Sequence, residues 1–152
     1  MKAFLFLLVP LFLSFTLFNI QENGPSWSVL CSGKKCKVME RKTMIFRNSK
    51  AYEKAWKELR EVNSNLAEQP PAVDFKKKTV IAFCAGDQTN GLEADSLWIN
   101  KNELIVRLTR IEMMPNCHLA KLLVTPYVWI ETDRIGWHVL KTTERVRDMD
   151  CK

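Results

Sequence analysis

Histidine, tyrosine and glycine are scarce in this chain, which has two His, two Tyr and five Gly among its 152 residues. No phosphate-cradling loop and no dinucleotide-binding glycine signature can be traced in it, and it has neither a GxSxG elbow nor an HExxH helix. His118 and His138 stand in no ligand spacing, and no CxxC pair accompanies them, so a zinc site is not expected. Asp87, Glu93 and Asp95 share one region but lack the order of a calcium-binding loop. There are no internal repeats. These absences exclude the catalytic and metal-dependent classes that declare themselves by motif. The expectation is a chain that is not an enzyme and holds no metal and no cofactor.

What is present begins at the first residues. Lys2 leads into an almost unbroken apolar run from Ala3 to Phe18, and nothing later repeats it. A short basic start followed by such a run reads as an export signal. The run is longer than the usual signal core of roughly 7–15 residues and shorter than the roughly 20 of a comfortable spanning helix. Residues 1–20 are therefore expected to be a signal peptide or an N-terminal membrane anchor. Either places the remainder outside the cytoplasm, in the periplasm, in the cell envelope or secreted. About 130 residues remain, one domain by length and enough to bury a core.

Lys and Arg exceed Asp and Glu by six. Outside the cell such a surface meets anionic lipid, polysaccharide or an acidic partner. The basic residues are scattered, and Lys34-Lys35 and Lys76-Lys77-Lys78 read as solvated turns. Nucleic acid is not expected as a partner, and membrane contact is expected only through the N-terminal segment if it stays uncleaved.

Cys31, Cys36, Cys84, Cys117 and Cys151 all lie in the exported part, where disulfides persist. Five is odd, so at least one is free or pairs with another chain. At least one intramolecular disulfide is expected, with Cys36 and Cys151 as the first candidates because both flank the sheet domain. Cys84, between Phe83 and Ala85 in an apolar run, is the thiol expected to stay free.

Residues 21–36 are polar and read as a linker, and the domain is expected over 37–147. Val38, Met44, Ile45 and Phe46 mark a first strand. Ser49 stands where an N-cap would fall. Tyr52, Ala55, Trp56, Leu59 and Val62 then recur at helical spacing up to Asn63, and Pro70-Pro71 forbid continuation. Everything after Val73 reads as sheet: Thr79 to Ala85, a hairpin of Ser96 to Asn100 and Glu103 to Ile111 around Lys101-Asn102, where Asn tolerates a positive φ, Leu119 to Glu131 as an edge strand or one broken at Pro126, and Trp137 to Thr143. The expected fold class is α+β, one helix packed on a mainly antiparallel sheet. Trp56, Phe75, Val80, Ala82, Val106, Leu108, Val124 and Val128 are its expected core.

Val73-Asp74-Phe75, the strand Val80-Ile81-Ala82-Phe83 with Gly86, the turn Thr89-Asn90-Gly91-Leu92, a hairpin and Thr125-Pro126-Tyr127 follow one another in an order that resembles the PrcB C-terminal domain family. The helix at Tyr52 to Lys57 is similar to one that often precedes that domain, and the likeness covers roughly residues 42–133. Asn90 and Leu92 depart from the family's glycine and aromatic positions. The resemblance implies an exported, non-catalytic protein-binding module, an accessory subunit of an extracytoplasmic protease complex. The Thr-x-Gly turn is also loosely similar to the inhibitory loop of chagasin-type protease inhibitors, which leaves inhibition as the alternative. Gln88, Thr89, Asn90, Gly91 and Leu92 form the candidate recognition loop on either reading, because exposed loops on rigid sheets carry recognition. Gly91 is expected to supply a positive φ there.

Overall fold

The computed structural model describes residues 24–86, 89–113 and 124–149. The signal or anchor expected over residues 1–20 lies outside the described residues, and among these no helix is long and apolar enough to cross a membrane. The chain runs β1 (Trp27–Gly33), β2 (Lys42–Phe46), α1 (Ser49–Val62), β3 (Lys78–Cys84), β4 (Gly91–Asn100), β5 (Glu103–Met113), β6 (Tyr127–Asp133) and β7 (Val139–Met149). One sheet has the order β1-β6-β3-β2 and the other β4-β5-β7. This is the expected α+β class, with two sheets in place of one.

The helix forms where the apolar stripe predicts it, and Tyr52, Trp56 and Leu59 are its buried face. Its N-cap lies one residue earlier than expected. The Asn48 side chain accepts from Ala51 N–H at 2.9 Å, and Ser49 is the first helical residue. Asn63 closes the other end, its N–H reaching the carbonyls of Leu59 and Arg60.

Alternation along the two central strands sets the layers. Val80, Ala82 and Cys84 of β3, with Tyr127 and Trp129 of β6, face α1. Ile81, Phe83, Val128 and Ile130, the residues between them, face Leu92, Leu97, Leu104, Val106 and Leu108 of the second sheet. The four-stranded sheet therefore lies between the helix and the three-stranded sheet. Buried on both faces, β3 and β6 carry continuous apolar runs, a pattern more usual in parallel sheets, although their pairing is antiparallel. Of the expected core, Trp56, Val80, Ala82, Val106, Leu108 and Val128 are buried, Phe75 packs at the margin of the helix-facing cluster, and Val124 is half-buried.

Three expectations need correction. The polar segment 21–36 is no plain linker, because Trp27–Gly33 pairs antiparallel with β6. An edge strand buries little, so its main-chain ladder holds it even where Ser28 and Ser32 interrupt the apolar residues. At the hairpin it is Lys101, with φ 56°, that takes the left-handed conformation. The last strand is longer than Trp137 to Thr143 and runs parallel to β5, whereas the other four pairings are antiparallel. As for Pro126, it lies outside any strand: β6 starts at the next residue and is central rather than an edge.

A polar clasp joins three strands at one end of the larger sheet. Lys78 and Asp133 are opposite residues of β3 and β6, and Lys78 Nζ lies 2.8 Å from Asp133 Oδ1. Ser26 N–H donates to Asp133 Oδ2 at 2.8 Å, and Lys78 Nζ donates to Ser26 Oγ at 3.0 Å. The hydrogen bond from Lys78 holds the Asp133 carboxyl below its ordinary range, helped by the Ser26 amide. A carboxyl with a lowered folded-state pKa adds stability above its unfolded value and loses it as pH falls through the folded one. Thermal melts of wild type and Asp133→Asn should therefore differ at neutral pH and converge between roughly pH 4 and pH 2. A constant difference across that range would contradict the clasp.

Candidate functional site

Four of the five residues expected to form a recognition loop are described, and none of the four is exposed. Thr89 and Leu92 are buried, Leu92 within the cluster between the sheets, and Asn90 and Gly91 are half-buried. Gln88 lies outside the described residues. Asn90 N–H donates to the Ile111 carbonyl at 2.8 Å, extending the β4–β5 ladder by one step. Gly91 is explained by space. It faces Ile111 across the ladder, and a Cβ would lie 2.9 Å from that residue's side chain. The expected positive φ is not found there. The apolar side chain of Leu92 draws this end of the segment into the core.

The other marked residues are structural. Asp74 accepts from Lys76 N–H through Oδ1 at 3.1 Å and from Lys77 and Lys78 N–H through its carbonyl, a turn that leads into β3. The Phe75 ring stands 5.5 Å from that of Tyr52. Thr125 is buried, and the Pro126 carbonyl accepts from Ala85 N–H at 2.9 Å. Tyr127 packs over Gly33 of β1, where a Cβ would come 2.7 Å from its hydroxyl. That hydroxyl accepts from Asn63 Nδ2 at 3.1 Å. Burial pushes the Tyr127 phenol above its ordinary pKa.

The feature with the reach for recognition is β7. Trp137, buried and donating through Nε1 to the Asp133 carbonyl at 2.9 Å, anchors the turn before it. Gly136 in that turn has φ 96°. β7 then follows β5 in register from Glu103↔Val139 to Met113↔Met149. Leu140 packs against the cluster between the sheets, and from Lys141 to Met149 every residue is exposed. Three of its five charged residues pair with neighbours: Lys141 with Glu103 at 2.6 Å, Arg147 with Glu93 at 2.8 Å, and Glu144 with Arg41 at 2.8 Å. Val139, Val146 and Met149 are exposed apolar residues along it. No proline or glycine interrupts the strand, and among the described residues no strand pairs with its outer edge. Such an edge offers a row of main-chain donors and acceptors to an extended partner segment. Sequence reasoning missed it because the charged stretch from Glu144 to Asp148 resembles a solvated tail. The Val146 and paired Thr142-Thr143 positions were the available signal.

Cys36 and Cys151 were the expected bridge. Cys151 and Cys117 lie outside the described residues, and the Cys36 sulfur stands beside that of Cys84. Among the described residues no cluster of three or more His, Cys, Asp or Glu side chains is placed to hold a metal ion.

No protein-family model, curated protein or solved structure matches this chain.

Proposed function

We propose that this chain is an exported, non-catalytic protein-binding module that takes up an extended segment of a partner protein along the outer edge of β7. The exposed eleven-residue edge strand carries the reading. Main-chain pairing along such an edge provides affinity, and the alternating side chains of the added strand provide selectivity. With Lys141, Glu144 and Arg147 matched by neighbours and Arg145 and Asp148 of opposite sign, the partner segment is expected to be β-prone and of low charge. Export rests on the apolar run from Ala3 to Phe18, and the order of motifs similar to PrcB points to an extracytoplasmic protease complex as the assembly served. The test is purification of the tagged chain from its native envelope with a protease assay on what comes with it. A stoichiometric protease whose activity is unchanged supports the accessory role. A protease blocked one-to-one points instead to an inhibitor.

A further inference from the structure

Cys36 and Cys84 are 48 residues apart in the chain, yet their sulfurs stand 3.0 Å apart in the helix-facing cluster. That is about 1 Å beyond the bonded sulfur separation of ~2.05 Å. Both side chains are buried, Cys36 at 8% exposure and Cys84 at 2%.

The surroundings hold Cys36 in this place. Its N–H donates to Thr125 Oγ1 at 2.7 Å, and the same hydroxyl donates to the Cys36 carbonyl at 2.6 Å. One buried side chain thus satisfies both main-chain groups of a residue that lies between strands. Two residues beyond Cys84, Gly86 lies against the backbone of Met39 to Arg41, so the segment carrying Cys36 is held at Thr125 before β6 and at Gly86 after β3.

From this geometry we propose that Cys36 and Cys84 are an oxidisable dithiol that closes to an intramolecular disulfide, fastening the segment between β1 and β2 to the end of β3. The oxidant is an external disulfide, of the kind a glutathione pool or a thiol–disulfide exchange protein supplies. The Cys36 thiolate attacks one sulfur of that disulfide, its S–S bond breaks, and the first external thiolate leaves and takes up the proton that Cys36 gave up. Cys84 then loses its proton and attacks the Cys36 sulfur, forming the Cys36–Cys84 bond and releasing the second external thiol. The two protein thiols are oxidised, and one external disulfide is reduced to two thiols.

The roles within the pair follow from the contact. The hydrogen bond between the two sulfurs, in which either can donate, favours a single thiolate, and Cys36, also beside the Val38 and Lys37 main chain, is the one held below the ordinary thiol range while Cys84 is raised. Cys31, half-buried in the same cluster, is pushed up to about 12 by burial alone and is the weaker competitor for the first step. This inference is independent of the binding role proposed above.

The test uses the full exported chain, reduced and then equilibrated in glutathione buffers from fully reducing to fully oxidising. Samples are quenched with acid, alkylated under denaturing conditions and mapped by proteolysis. A linked peptide pair containing Cys36 and Cys84 is expected under oxidising buffer. The oxidised wild type should melt roughly 10 °C above the reduced form. That shift should vanish in the double variant Cys36→Ala/Cys84→Ala. Recovery of both residues as alkylated thiols under fully oxidising conditions would overturn the proposal, and so would Cys36 linked to Cys31, Cys117 or Cys151. The mapping needs only the wild-type chain, so a variant that fails to fold does not remove the test.

Discussion

Trp129→Ala should destabilise the domain by about 3–5 kcal/mol, within reach of the whole stability of about 5–15 kcal/mol that a domain of this size has. Trp129 is among the largest fully buried side chains, at 2% exposure in the middle of β6. Its ring lies 5.4 Å from that of Phe46, 5.9 Å from that of Tyr52 and 5.8 Å from that of Trp56, the last edge-on. It is the point at which β2, β6 and α1 meet, and none of these backbones is free to collapse into the space it would leave. Its Nε1 has no hydrogen-bond partner among the described residues. Trp129→Phe therefore removes a buried unsatisfied donor along with some volume, and the two effects oppose each other. Its cost should stay under about 2 kcal/mol. Denaturant unfolding of both variants checks this, and equal losses for the two would contradict the packing described.

The second large effect falls on a residue with no side chain. Gly86→Val should cost at least about 3 kcal/mol, combining a left-handed backbone that disfavours β-branched residues with direct overlap. Gly86 has φ 82°, and a Cβ there would stand 3.0 Å from the Met39 carbonyl oxygen and 3.2 Å from the Arg41 nitrogen. Both neighbours are main chain and cannot swing aside. Gly91→Ala is the informative comparison. Its close neighbour is the Ile111 side chain, and it has no positive φ, so its loss should be the smaller of the two. Thermal or denaturant midpoints of the two variants decide the order.

How much of this was legible beforehand follows the physics of each element. The helix was plain because Tyr52, Trp56 and Leu59 repeat at its period and charges fill the other positions. β3 and β6 were plain as apolar runs. What a run of that kind does not disclose is which layers cover its two faces, so the second sheet went unseen. β1 was hidden because an edge strand is held by main-chain pairing more than by buried side chains. The parallel direction of β7 depends on the crossover from β5, which side-chain patterns do not encode. At the candidate site Asn90-Gly91 was read as a turn with a positive φ, whereas Gly91 and Leu92 already belong to β4 and Leu92 packs into the core. The Cys36–Cys84 contact joins positions 48 residues apart, and no local feature announces it.

The central claim is that recognition runs along the edge of β7. A photo-crosslinking amino acid placed at the exposed Thr143, with the same group at Asn90 as the comparison, tests it most directly when both chains are irradiated in their native cells. The account predicts one discrete cross-linked protein from position 143 and none from position 90. Adducts from position 90 with none from position 143 would contradict it.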